Sequence, residues 1–196
     1  MLEKILQIDQ ELLLFFNGLH NPFFDVLMWW MTSIWFWLPL LSVILWFMWK
    51  QYKKKIILIL VFLALSILFC DQISVFIKNK VARLRPTHNM EISHYLHLHV
   101  YKNGDVYKGG QYGFVSSHAA NSFCIALLLI YFFKPINKRL RWLFILYPLI
   151  FSYTRIYLGI HYPLGIISGA IVGLCCGFFV FFISKKLIRY FVYSSC

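Results

Sequence analysis

Negative charge is what this chain has least of: only 7 of its 196 residues are Asp or Glu, and none follows Asp105. Charged residues of both signs make up 13% of the chain against 61% hydrophobic, with a mean hydropathy of +0.70, which excludes an ordinary soluble domain. Cysteine forms no framework. Cys70, Cys124, Cys175 and Cys176 lie in apolar runs and Cys196 at the last position, with none between residues 78 and 117, so neither a disulfide scaffold nor a cysteine zinc spacing is present. The start of the chain lacks the basic stretch, uninterrupted apolar run and small-residue cleavage site of a secretory signal, so the first true span is expected to direct insertion. Internal repeats and low-complexity stretches are also missing.

What is present in their place is long apolar sequence. Crossing a hydrocarbon core of roughly 30 Å takes about 20 helical residues. Runs of that kind are read at 26–49, 56–77, 115–133, 140–157 and 162–183. Residues 2–16 mix Glu3, Lys4, Asp9 and Glu11 with apolar residues at helical spacing, which predicts an amphipathic helix lying on the membrane surface. The expected fold is therefore all-α: one domain over 1–196, a polytopic membrane bundle of about five transmembrane helices, with 1–24 as an N-terminal interfacial helix. Most of the Trp residues fall toward span ends, as amphipathic rings do at headgroup level. Gly173 and Gly177 form a small-xxx-small pair suited to close helix packing.

The net charge of +12 does not read as a nucleic-acid patch, because 11 of the 19 Lys and Arg residues sit in three short segments beside spans, 50–55, 134–141 and 185–189. By the positive-inside tendency these segments face the cytoplasm. The 78–117 loop and the 154–161 turn then share the opposite, extracytoplasmic side. On that side stands a second basic run, Lys78, Lys80, Arg83 and Arg85, against the tendency; binding a phosphorylated headgroup explains it, because guanidinium forks match phosphate oxygens. Headgroup snorkelling is the plainer alternative. Further on, Ser116, Ser117 and His118 stand where a Gly-containing loop enters an apolar helix, a place where unpaired N–H groups and the helix dipole favour an anion. A simple serine cap with an incidental histidine fits the same residues. Arg155 and His161 stand at the junction of two spans, and ionisable groups in membrane segments are functional by default.

Taken together, these fragments resemble the type 2 phosphatidic acid phosphatase superfamily, the membrane lipid phosphate phosphatases related to vanadium haloperoxidases. The family pattern is K-x6-R-P, P-S-G-H, then S-R-x5-H-x3-D. Lys78, Arg85 and Pro86 match the first element, Ser116 and His118 part of the second, and Arg155 and His161 the third. The resemblance implies a two-step displacement without cofactor or metal, in which His161 attacks phosphorus and water cleaves the phosphohistidine. His118 would serve as general acid, then as base. Lys78, Arg85 and Arg155 would clamp the phosphate, with Ser116, Ser117 and their backbone N–H groups stabilising the transition state. The implied partners are a membrane lipid phosphate and the bilayer, with neither nucleic acid nor an obligate protein partner. The implied location is the bacterial inner membrane with the site facing the periplasm or exterior.

Val115, Ser117 and Thr154 depart from the pattern without removing charge. Gly165 departs more seriously, because it stands where the family carries the aspartate that orients the nucleophilic imidazole. Asp71, seven residues before Lys78 on the same helix face, is the expected substitute, with pairing to Lys78 as its plainer role; a backbone carbonyl or water is the remaining alternative. A slower enzyme is expected. The outer loop also holds His88, His94, His97 and His99, but no Cys or closely spaced acidic residue completes a zinc set, and a solvated loop is the reading. Lipid A and undecaprenyl pyrophosphate lead the substrates, followed by phosphatidylglycerophosphate and phosphatidic acid. A silent phospholipid-binding family member is the rival reading, motivated by Gly165. A transporter fits poorly, since the ionisable groups other than Asp71 cluster at one face.

Overall fold

The computed structural model describes residues 1–132 and 141–188; the basic stretch 134–140, Arg189 and Cys196 lie outside the described residues. Seven α-helices follow one another: α1 Leu2–Gly18, α2 Pro22–Met31, α3 Ile34–Tyr52, α4 Ile56–Val81, α5 Ser117–Phe132, α6 Arg141–Tyr157 and α7 Pro163–Ile188. Among the described residues no strand forms, and two isolated bridges pair Leu84 with Tyr112 and Val100 with Val106. Two stretches, Ile34–Val81 and Pro163–Lys185, are long and apolar enough to cross a membrane by themselves. Their outward faces stay greasy. Ile57, Val61, Leu65 and Leu68 on α4, and Ile167, Ile171, Phe178 and Phe182 on α7, are exposed at spacings of three, four and seven, which suits hydrocarbon and not water.

The expected span 26–49 is broken in two. Thr32 and Ser33 interrupt it: the Ser33 hydroxyl accepts from Trp35 N at 3.4 Å, which starts α3, while the Trp37 indole N–H donates to the Met31 carbonyl at 2.7 Å. Polar side chains that offer the backbone alternative partners win here over a continuous apolar pattern.

Helix α5 is the centre of the bundle, packed against α4, α6 and α7. Its approach to α7 depends on absent side chains. A Cβ on Gly173 would run into the Ala120 carbonyl, and one on Gly169 would lie 2.5 Å from the Ser116 carbonyl oxygen. In hydrocarbon, where helices gain nothing from hiding apolar surface, such backbone contact is a main source of association. Cys70, Cys124, Leu128, Phe132, Met48 and Ile59 belong to the apolar core that joins α3, α4 and α5.

Helix α1 presents its polar face inward. Leu2, Ile5, Ile8, Leu12 and Phe15 are exposed, whereas Asp9, Leu13 and Asn17 are buried against α6, α7 and the outer loop. Asp9 accepts from Arg83 Nη1 and from Leu164 N, both at 2.7 Å, so one carboxylate ties α1 to the loop and to the first turn of α7. Its charge also suits that N-terminus. Asn17 donates to the carbonyls of His97 at 2.8 Å and Tyr157 at 2.6 Å and accepts from His97 N at 2.8 Å. Asn17→Ala strips three bonds from buried groups and is expected to cost about 1–3 kcal/mol. Thermal unfolding in detergent checks this, with exposed Gln7→Ala expected to leave the midpoint unchanged.

Candidate active site

The polar motifs meet where the N-termini of α5 and α7 face each other. The chain leaves α4 through Ala82 in the left-handed conformation, φ 50°, and runs antiparallel to residues 111–113: Arg85 N donates to Gln111 O and Gly113 N to Arg83 O, each at 2.9 Å. This pairing draws Arg85 under the loop, where its Nε donates to the Tyr112 carbonyl at 3.1 Å. Gly109, at φ +69°, makes room for it, since a Cβ there would sit 2.6 Å from Arg85 Nη1.

Lys78 reaches across from α4 and donates to the Ser117 hydroxyl at 3.1 Å. Arg155, 2% exposed, donates from Nη1 to the Thr32 hydroxyl and from Nη2 to the Tyr107 hydroxyl at 3.0 Å. His118 lies within electrostatic reach of Arg155, Arg85 and Lys78, with the Phe151 ring 5.9 Å away, and His161 within reach of Arg85, Arg155 and His118. All seven expected catalytic and phosphate-binding residues are thus gathered in one place. None of the three cations is ion-paired with a carboxylate among the described residues.

His161 is fully buried, and its Nδ1 lies 2.9 Å from the carbonyl oxygen of Gly113. A carbonyl only accepts, so Nδ1 carries the proton and Nε2 carries the lone pair. Nε2 is buried and has no hydrogen-bond partner among the described residues. Burial above all, then the charges of Arg85 and Arg155 and the neighbouring His118, hold the imidazole well below the ordinary histidine value, although the Gly113 bond works the other way. The ring is kept neutral, which leaves the Nε2 lone pair free of a proton. Burial and the Arg155 charge lower Arg85 as well.

Asp71, the expected orienting group, makes no hydrogen bond to His161 among the described residues. It accepts from Asn121 Nδ2 at 3.5 Å and lies in the field of Lys78, while His161 Nδ1 meets the Gly113 carbonyl. Gly165 explains the exchange: a Cβ there would meet the Gly113 carbonyl oxygen at 3.2 Å, so the missing side chain leaves space for the carbonyl that takes over the orienting bond. The expected role of the Ser116 backbone N–H is also corrected, because it donates to the Gly165 carbonyl at 3.0 Å and is not free for phosphate. The Ser116 hydroxyl, fully buried, accepts from Ala119 N at 3.4 Å as a cap on α5.

Three supporting residues escaped the sequence reading. Thr32 had a signal, as half of a polar pair inside an apolar run. Gly113 was covered only by the general alternative of a backbone carbonyl or water, which did not single it out. Tyr107 had none.

The sequence profile of the PAP2 superfamily matches residues 55–189. The chain belongs to the PAP2 superfamily. Among curated relatives, a protein of Bacteroides thetaiotaomicron named lipid A 4'-phosphatase is 41% identical over 193 residues, covering 95% of this chain and 81% of that one. A second of the same name, from Porphyromonas gingivalis, is 35% identical over 182 residues, covering 92% and 74%. In fold, the chain superposes on a PAP2-type phosphatidylglycerolphosphate phosphatase from Bacillus subtilis with a TM-score of 0.69 at 21% identity, over 95% of this chain and 89% of the other. With these relatives, this PAP2 member is a membrane lipid phosphate phosphatase.

Two outcomes follow from the site. Gly165→Asp, which inserts the residue the family pattern expects, pushes a second acceptor against the Gly113 carbonyl. Phosphate release is expected to fall about tenfold or more, because small displacements of a reacting group are costly; a rate above wild type would show that the carbonyl is not the orienting partner. The second concerns pH. The native His161 value lies below the ordinary 6.5, so the unfolded chain binds the proton first. The stability contributed by neutral His161 is present above about 6.5 and is lost as pH falls toward the native value. Histidine-selective NMR, with His161→Asn identifying the signal, is expected to show this ring neutral at pH 6.

Proposed function

We propose that this protein hydrolyses a phosphate ester of lipid A, by way of a phosphohistidine on His161, at the extracytoplasmic face of the bacterial inner membrane. The observation that carries the chemistry is the buried, unpartnered Nε2 of His161, with Nδ1 anchored on Gly113 and two arginines nearby. The names of the two relatives support lipid A and its 4'-phosphate. The distribution of Lys and Arg supports the orientation, and α3 to α7 serve as five crossings, with α1 at the outer interface.

In the first step Nε2 attacks phosphorus and forms the P–N bond as the P–O bond to the lipid breaks. His118 gives its proton to the departing oxygen. In the second step His118 takes a proton from water, the hydroxide attacks phosphorus, the P–N bond breaks and inorganic phosphate leaves. Lys78, Arg85 and Arg155 face the charge that spreads over the equatorial oxygens, and they are in place before the substrate arrives. The reading as a silent binder is motivated by Gly165; the Gly113 carbonyl gives His161 Nδ1 an acceptor in place of the missing aspartate, and turnover separates the two readings.

Phosphate release by the detergent-purified protein from lipid A, undecaprenyl pyrophosphate, phosphatidylglycerophosphate and phosphatidic acid tests both parts. Lipid A is expected to turn over fastest, and His161→Ala to lose at least about 10³-fold. A variant that matches wild type would end the nucleophile assignment; preference for undecaprenyl pyrophosphate would move the substrate and leave the mechanism standing.

A further inference from the structure

Outside the phosphate site, three potential metal ligands from separate parts of the chain converge: His20 from the α1–α2 turn, Asp25 from α2 and His97 from the outer loop. One ligand atom from each lies within 4.8 Å of the other two. His97 Nε2 is 3.1 Å from Asp25 Oδ2, and the His20 and His97 rings stack with centroids 3.8 Å apart. We propose that His20, Asp25 and His97 bind a zinc-class divalent ion that clamps the outer loop to the N-terminal helices.

The ligand chemistry fits. Two imidazoles and a carboxylate form a donor set that zinc takes at about 2.0–2.2 Å, and at a tetrahedral centre such ligand atoms stand about 3.3 Å apart. The His97–Asp25 separation is already close to that value. The exposed His20 offers a ring nitrogen within 4.8 Å of both of these atoms. Next to the cluster lies a cavity of about 220 Å³, lined by Asp25, His97, His99 and Tyr157 among others, which gives room for water as a fourth ligand.

The cluster is also built from behind. The Tyr157 hydroxyl donates to Asp25 Oδ1 at 2.7 Å, which leaves Oδ2 for the ion, and the backbone of His97 is fixed on both sides by Asn17. Outer-shell bonds of this kind orient metal ligands and govern affinity. The sequence spacing H-x2-H-x-H hid the set, because His97 finds its acidic partner 72 residues upstream and not in its own loop.

The clamp leads toward the phosphate site without entering it. On the same helix as Asp25, Trp29 stacks on His99 at 3.7 Å and meets Tyr107 edge-on at 5.2 Å, and Tyr107 holds Arg155. Fixing α2 to the loop therefore fixes one partner of a phosphate-binding cation, while the ion takes no part in the chemistry.

The test is zinc binding by the full-length chain, purified in detergent without a polyhistidine tag and stripped with chelator, titrated with Zn²⁺ alone by calorimetry. One ion per chain is expected, together with a zinc-dependent rise in the unfolding midpoint. His20→Ala, on an exposed turn, and Asp25→Asn are expected to weaken binding at least about tenfold, and Tyr157→Phe by about 10- to 100-fold through the orientation of Asp25. His94→Ala, exposed and outside the cluster, is expected to bind as wild type does. Failure of wild type to bind one ion, or equal binding by His20→Ala with its metal-free midpoint unchanged, would overturn the proposal. The phosphatase reading is untouched by either result, since the readout is binding and not turnover.

Discussion

Three cations held together with no carboxylate ion-paired to any of them among the described residues set the terms for the rest of this structure. Arg85 and Arg155 are nearly excluded from solvent, Lys78 comes to the same place from α4, and each is held only by hydroxyl or carbonyl oxygens among the described residues. Buried like charges repel and lose hydration, so the arrangement is costly until an anion arrives. In the proposed reaction the substrate phosphate supplies what is missing. The same scarcity of negative charge that marks the sequence is what keeps the site open to substrate, because a carboxylate placed to stabilise the arginines would compete with phosphate for them.

The fold keeps these charges together through close backbone contact. Glycines on α7 let it lie directly on α5, and the Ser116 N–H bond to the Gly165 carbonyl joins the first turns of the two helices. His118 rides on the first turn of α5, and His161 stands two residues before the start of α7. Asp9 then ties the first turn of α7 to Arg83, so that the loop carrying Arg85 and the turn after His161 share one buried anchor. Gly113 does two things at once: it pairs with Arg83 in the loop and presents its carbonyl to His161.

Much of this was legible in the residues. Apolar runs gave the α4–α7 helices nearly as they stand, because their lengths and polar interruptions leave little choice. The phosphate residues could be read because buried or misplaced cations in an apolar chain have few explanations. The reading went astray where backbone chemistry decides. Span 26–49 looked continuous, yet Thr32 and Ser33 leave the helix to cap α3 and to meet Arg155. Asp71 looked like the missing acid because it is a carboxylate in a membrane span, whereas His161 Nδ1 meets the Gly113 carbonyl, an alternative that the side-chain pattern allows but cannot place. The partnership of His97 with Asp25 was hidden for another reason, since it joins segments far apart in the chain.

The claim on which the account rests is that His161 becomes covalently phosphorylated. Lipid substrate labelled in the phosphate, mixed rapidly with excess enzyme and stopped in alkaline denaturant within a single turnover, tests it most directly. The account predicts an acid-labile label on the peptide that contains His161, formed before inorganic phosphate appears and absent from His161→Ala. Release of phosphate with the chain never labelled, or a label on another residue, would contradict it.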